Sequence, residues 1–302
     1  MLRNRTISAL DSRRKNARNT SDCLTNIISS APPPSFYGPL IGELAHLGFR
    51  AFSPHPQLRE WVQCYWLTQH EILPGEGYHE KMYPDGGSTL TFYFNDGHSP
   101  QMVYEARYQL TSRYFHGKLN NIGVRFHPGG AYQLLGPQIS GAFGCDVALT
   151  DLSLPEVNCL HQQLADTQDA GQRLQHIENW LLHQARAHDA QSGIIQHLWP
   201  RLLDTSNSLE VLTQNYPLSR RQIERKFQSQ IGVSPAHIKI LHHVKNARRL
   251  ISQNPLHSLV DVALACGFYD QAHFIRQFRS VTQQTPGQYR ARKMSQKYNS
   301  TQ

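Results

Sequence analysis

Ser208 to Arg290 reads SLEVLTQNYPLSRRQIERKFQSQIGVSPAHIKILHHVKNARRLISQNPLHSLVDVALACGFYDQAHFIRQFRSVTQQTPGQYR. Its apolar spacing predicts two short helix pairs separated by one longer helix. The second pair has the cleaner pattern. Leu259, Val262, Ala263 and Cys266 recur at i, i+3, i+4 and i+7, one apolar helical stripe. Gly267 follows as a helix stop, and Asp270 is placed to cap a new helix, Gln271 to Ser280. In that helix Phe274, Phe278 and Val281 mark a core face, while Gln271, Ala272, Ile275, Arg276 and Arg279 fall roughly opposite. Pro286 and Gly287 read as the end of the unit.

The first pair repeats the plan less perfectly. Leu209, Leu212 and Tyr216 mark one helix, Pro217 and Leu218 turn the chain, and Ser219 caps the next. Ile223, Phe227 and Ile231 mark its buried side, with Arg221, Glu224, Arg225 and Gln228 on the other, before Gly232 stops it. Ser234-Pro235 restarts a helix with Ser as N-cap and Pro at the first helical position. Ile238, Leu241, Val244, Ala247 and Ile251 give this connecting helix its stripe, and Asn254-Pro255 closes it. His242 and His243 on the same helix read as surface residues near phosphate, not ligands. Helix-turn-helix units of this kind place one exposed helix in the DNA major groove, where amide and guanidinium groups reach base edges and phosphates. The competing reading is a plain helical bundle with a basic surface.

The block GFYDQAHFIRQFRSVTQQTPGQYR, Gly267 to Arg290, resembles the signature segment of AraC/XylS-type bacterial transcription regulators. The likeness lies in its Gly-Phe, its Phe-x-x-x-Phe spacing and its Thr-Pro-Gly-x-Tyr-Arg ending. The resemblance covers about the last third of the chain. It implies two helix-turn-helix motifs held apart by a rigid helix, entering successive major-groove segments on one DNA face. By position it implies that Arg221, Glu224 and Arg225 in the first unit, and Gln271, Ala272, Ile275 and Arg276 in the second, face bases and backbone. The first unit departs from the pattern: Thr213 stands where such regulators usually carry alanine, and Glu224 is acidic. Phosphate repels Glu224, though it could accept from a cytosine amino group.

At 302 residues the chain is long enough for two cored domains. The net charge of +8 is unevenly spread: residues 201–302 carry 15 Lys/Arg against five acids, the first 35 residues carry +4, and residues 36–200 carry −6. An acidic body joined to a basic domain suits a protein that grips a polyanion with one part only. Cys23, Cys64, Cys145, Cys159 and Cys266 form no CxxC pair, which fits reduced thiols in a cytoplasmic protein, and Cys266 lies on an apolar stripe. No apolar run of membrane-spanning length and no compact apolar leader occurs, so neither a span nor a signal peptide is expected.

The fold class expected is α+β: a β-rich, barrel-like N-terminal domain with a helical linker, followed by an all-α domain of two helix-turn-helix motifs joined by a long helix. Residues 1–35, polar and ending in Ala31-Pro32-Pro33-Pro34-Ser35, read as a disordered basic extension. Residues 36–150 read as the β-rich, sensor-like domain. Val62, Cys64 and Trp66 alternate with Trp61, Gln63 and Tyr65; Leu90, Phe92 and Phe94 alternate with Thr91 and Tyr93; Ile122, Val124 and Phe126 make another strand. Pro84-Asp85-Gly86-Gly87 and Asn95-Asp96-Gly97 are turns, and Ala131 to Leu135 is a short helix. Through YPDGG and GVRFHPGGAYQLLG this half resembles a poorly characterised N-terminal domain attached to some AraC-type regulators, which implies sensing or oligomerisation without naming a ligand. Residues 151–203 read as a helical linker or dimerisation region, with stripes at Leu174, Ile177 and Leu181 and at Ile194, Leu198 and Leu202. Residues 204–302 form the double helix-turn-helix domain.

The function expected is sequence-specific binding of double-stranded DNA in transcription regulation, activation included, with no enzymatic activity, cofactor or metal. Candidate partners besides DNA are a small-molecule effector, a second copy of the chain and RNA polymerase; no membrane is among them. The aromatic run Trp61, Tyr65, Trp66, Phe92, Tyr93 and Phe94 motivates an effector cavity, and a plain aromatic core explains it equally. The rivals are a cupin-like β-barrel enzyme or metal module fused to a DNA-binding domain, and a nonspecific architectural binder. His55, His70, His79, His98, His116 and His127 are numerous but show no H-x-H spacing. Arg125 and Glu105 could hold a ligand, though salt-bridged roles are commoner. No Walker loop, GxGxxG, GxSxG or HExxH occurs.

Overall fold

Each of four adjacent strands contributes one residue to each of two buried rows, and these rows fix the N-terminal half. β2 (Val62–Glu71), β7 (Lys118–Phe126), β4 (Thr89–Tyr93) and β5 (Gln101–Glu105) lie antiparallel in that order. Register places Tyr65 opposite Val124, Val124 opposite Leu90 and Leu90 opposite Tyr104; two residues along, Leu67, Ile122, Phe92 and Met102 line up likewise. All eight are buried. Burying each large side chain is worth about 1.5–3 kcal/mol, which is what pins this register. The computed structural model describes residues 42–187, 193–202 and 216–299. The expected extension at residues 1–35 and the expected helix bearing Leu209, Leu212 and Thr213 lie outside the described residues.

The sheet is completed by β1 (Phe49–Phe52) beside β2 and β8 (Asp146–Ala148) beside β5. It stays open, so the barrel-like closure expected from the sequence does not form. The edge strands are four and three residues long. Helices rather than further strands cover the apolar face: α1 (Gly130–Leu135), α2 (Val157–Asp166) and α3 (Ala170–Ala187). A second ribbon pairs β3 (Tyr78–Met82) with β6 (Thr111–Phe115). The strict alternation expected from Trp61 to Trp66 is broken by a bulge between Val62 and Cys64, which puts Val62 and Tyr65 together in the core. Gly123 lies on β7 opposite Trp66, and a Cβ there would run into the indole ring.

The stripes of α3 are used inside the chain. Leu174, Ile177 and Leu181 join the sheet's core, and polar contacts weld the helix on. Arg173 sits 3.9 Å over the Phe94 ring, Glu178 accepts from the His55 N–H at 2.7 Å, and the Trp180 and Gln184 side chains both donate to the Pro155 carbonyl. Trp61, Tyr65, Phe92 and Phe94 are core residues packed against one another and these helices. Arg125 pairs with Asp85, and Glu105 with Arg113, so both ligand candidates sit in ion pairs.

Beyond α3 the described chain is helical. α4 (Ile194–Leu202) packs Ile195, Leu198 and Leu202 against α5 (Arg220–Gln230). α6 (Pro235–Gln253) connects α5 to α7 (Leu259–Ala265) and α8 (Gln271–Thr282). A further helix, α9 (Pro286–Asn299), starts where the sequence reading ended the unit. At its start the Gln288 carboxamide oxygen accepts from the Thr285 N–H and the Thr285 hydroxyl accepts from the Gln288 N–H, a reciprocal cap, so Pro286 opens a helix as Pro235 does.

Candidate nucleic-acid interface

Each of the two candidate reading helices is started by a side chain named from the sequence. At α5, the Ser219 hydroxyl accepts from the Gln222 N–H at 3.3 Å while the Gln222 carboxamide oxygen accepts from the Ser219 N–H at 2.8 Å, a reciprocal capping box. At α8, Asp270 accepts from the His273 N–H at 2.6 Å. Gly232 and Gly267 leave their preceding helices with φ of +91° and +77°, a left-handed turn that glycine adopts without strain.

The inward sides match the stripes. Ile223, Phe227 and Ile231 are buried in the first unit, and Phe274, Phe278 and Val281 in the second. Arg221 and Arg225 are exposed on α5, and Glu224 is half-buried beside them. Gln271, Ala272, Arg276 and Arg279 are exposed on α8, with Ile275 half-buried. Glu224 accepts from the Arg220 guanidinium at 3.0 Å across one helical turn, so its charge is locally balanced. Each unit therefore presents a polar, cationic ridge on a helix whose other side is locked into a core. The sequence reading missed Arg249, an exposed cation on α6.

The histidine pair departs from expectation. His243 is buried, its ring edge-on to Phe268 at 5.5 Å, and His242 is half-buried and bonded to Asn246 at 2.8 Å. They are not surface groups placed to meet phosphate. Burial holds both near pKa 4, with neighbouring cations adding to the effect, so both are neutral at pH 7. The stripe of α6 is wide enough at this turn to take in a histidine where α8 arrives from the side. Cys266 is buried in the same core, and burial pushes its thiol up to about 11. Among the described residues, no three His, Cys, Asp or Glu side chains stand close enough together to hold a metal ion, and no helix is long and apolar enough to cross a membrane.

Comparison with known proteins divides the chain in two. Residues 212–292 match the family described as a helix-turn-helix domain, and residues 50–143 match one described only as a domain of unknown function. The transcriptional regulator MtrA of Neisseria gonorrhoeae is 32% identical over 104 residues, which is 33% of this chain and 34% of that protein. The regulator GlxA of Rhizobium meliloti is 32% identical over 137 residues, 38% of this chain and 40% of that protein. The chain thus spans well under half the length of these relatives. The structure of ToxT from Vibrio cholerae O395 aligns over 75% of this chain and 97% of that one with 10% identity and a TM-score of 0.37, too distant to bear on this chain's details. Over residues 212–292 the chain is an AraC-type helix-turn-helix domain, joined to an N-terminal domain of a family without defined function.

Proposed function

We propose that this chain is a cytoplasmic, sequence-specific DNA-binding transcription regulator and not an enzyme. The observation that carries the proposal is the pair of capped helices, α5 and α8, each turning an exposed arginine-bearing face outward from a closed core. Arg221 and Arg225 on α5, and Gln271 and Arg276 on α8, are assigned to phosphate and base contact. Ala272 and Ile275 offer apolar contact to thymine methyl groups. Glu224, neutralised by Arg220, stands beside the first set as an acceptor for a cytosine amino group. The 15 Lys/Arg of residues 201–302 supply the long-range attraction.

Residues 36–150 are assigned to sensing a small-molecule effector, residues 151–203 to linking and self-association, and residues 204–302 to DNA binding. RNA polymerase is the partner an activator of this kind would meet. A thermal-shift screen of the full chain against metabolites tests the sensor role: a ligand that binds only the folded state raises the melting temperature, and a flat screen counts against the assignment.

Arg276→Ala tests the DNA reading directly. It is expected to weaken binding to a duplex selected by the wild-type chain by about 1–3 kcal/mol, measured by gel-shift titration at fixed salt. An unchanged affinity would remove Arg276 from the interface. Equal affinity of the wild type for selected and random duplexes at matched salt would instead favour a nonspecific architectural binder.

A further inference from the structure

The YPDGG segment, Tyr83 to Gly87, joins β3 to β4 and reaches across to the helical half. The Asp85 carboxylate accepts from the Gly87 N–H at 3.1 Å and pairs with Arg125 on β7. It also accepts from the Lys245 ammonium of α6 at 2.8 Å. Gly86 has φ +84° and lies so close to Ile238 of α6 that a Cβ would collide with it. The Arg248 guanidinium of α6 lies 3.5 Å above the Tyr83 ring, and Arg292 of α9 donates to the Tyr83 hydroxyl at 2.9 Å. Tyr289, in the core of the second unit, meets the Tyr83 ring edge-on at 6.2 Å.

A second grip lies on the first unit. The Tyr108 hydroxyl donates to the Ile231 carbonyl, just past the last turn of α5. Ser140 donates to the Ser229 carbonyl at 3.0 Å, and Gln133 to the Gln230 carboxamide oxygen at 3.4 Å. Gly232 lies against Tyr108 and Phe143, where a Cβ would stand 2.6 Å from the Tyr108 oxygen. The joint is tightly filled: the cavity left between Tyr104, Tyr108, Tyr132 and Ile231 is about 10 Å³, room for a single water.

One β-domain therefore holds both helix-turn-helix units, yet leaves Arg221, Arg225, Gln271 and Arg276 exposed. An occluding arrangement would have covered them. α6 alone is a single strut of 19 residues with a short turn at either end. A second connection through the β-domain closes a triangle and stops the units hinging at those turns. We propose that the β-domain is a brace across the two units, with Tyr83 and Asp85 gripping one side and Tyr108 and Ser140 the other, and that it sets the half-site spacing the chain accepts on DNA. The inference rests on the DNA-binding reading. One added base pair rotates the second half-site by about 34° and moves it by about 3.4 Å, a change a braced pair of heads resists and a hinged pair absorbs.

The test uses the full chain. A two-part site is selected from a randomised duplex pool by the wild type, and affinity is measured on that site and on versions with one base pair added or removed between its halves. The wild type is expected to lose about tenfold or more on either change, one power of ten being about 1.4 kcal/mol. Tyr83→Leu combined with Tyr108→Phe, both changes on the β-domain side, is expected to cut that penalty below about threefold while single half-site affinity stays within about twofold. A folded variant that keeps the wild-type penalty overturns the brace. Should this pair fail to melt cooperatively, Tyr108→Phe with Ser140→Ala removes two hydrogen bonds at the first unit alone and faces the same criterion. Hydrogen exchange without DNA reports the brace separately: faster exchange in the last turn of α5 and the first of α6 supports it, and unchanged exchange there overturns it. A wild type that selects no sequence overturns the DNA reading and the spacing claim together, while the exchange result still stands.

Discussion

The two helix-turn-helix units share a plan and differ in where their cores come from. The second is closed by its own aromatic residues: Phe268, Phe274, Phe278 and Tyr289 pack in a chain of ring contacts against Leu241 and Val244 of α6. The first has Ile223, Phe227 and Ile231, and the described residues that complete it include Ile195, Leu198 and Leu202 of α4, with Tyr108 of the β-domain at its edge. The second unit packs mainly on its own aromatic residues, with Tyr83 of the β-domain at its edge; the first draws in α4 and has Tyr108 of the β-domain at its edge. A change in the β-domain therefore has a short mechanical route to the first head, through α4 and the end of α5, and reaches the second mainly through the Tyr83 grip.

Core truncation gives the largest expected contrast. Phe278 is fully buried, and Phe278→Ala should cost about 3–5 kcal/mol of stability in chemical denaturation. Hydrogen exchange should then rise in α7 and α8 and much less in α5. Leu198→Ala, in the linker helix, should cost about 2–5 kcal/mol and loosen α5 more than α8, although it lies outside any helix-turn-helix unit. If Leu198→Ala leaves α5 as protected as in the wild type, the first unit is as self-contained as the second and the contrast fails.

Gly232→Ala sharpens the same comparison at a single turn. Both Gly232 and Gly267 end their helices at positive φ, so alanine at either costs about 1–2 kcal/mol of backbone strain. At Gly232 the added methyl also meets the Tyr108 hydroxyl, so the substitution should cost more than the backbone strain alone. Adding Tyr108→Ala to Gly232→Ala should cost less than the two single changes summed, since the first removes what the second collides with. Strict additivity in thermal melts would show that the turn and the β-domain are not in contact.

The local signals were the readable ones. Ser219, Ser234 and Asp270 cap their helices as expected because a cap is a contact over two or three residues. Thr285-Pro286 carries the same signature as Ser234-Pro235, but Pro-Gly after a helix also looks like a stop, and the Gln288 that settles the matter is one residue in an amide-rich run. β3 and β6 escaped because their ribbon is mostly half-buried on both faces and lacks apolar alternation. Sheet closure depends on what the edge strands meet, which no window of a few residues contains. The Asp85 grip was invisible for the same reason: its partners Arg125 and Lys245 lie 40 and 160 residues further on, while the local sequence reads only as a turn. The seven candidate contact residues could be placed on the helices, but which of them meet a base depends on the duplex.

Acidification separates the second core from the Asp85 contact by a smaller and more gradual effect. His243 is held near pKa 4 by burial first, then by Lys239 and His242 on α6 and His273 on α8; its ring stands against Phe268 of the second core. His242 is held near 4 by burial and by Lys245 and Arg249, with Asp85 opposing them. In the unfolded chain both return to about 6.5. Between those values the unfolded state binds protons that the folded state refuses, so their contribution to stability is complete above about pH 6.5 and drains away as pH falls toward 4. Asp85 does not share this window: burial raises its pKa, but Arg125 and Lys245 outweigh burial and keep the carboxylate ionised far below the usual range. The second core should thus soften while the Asp85–Lys245 contact survives. Hydrogen exchange at pH 7 and pH 5 should show protection falling in α8 before it falls at the Tyr83–Gly87 segment, and His243→Gln should flatten the pH dependence of α8. A His243→Gln chain with the wild-type pH dependence would mean that His243 takes up its proton without disturbing the core, and that the second unit's autonomy rests on its aromatic rings alone.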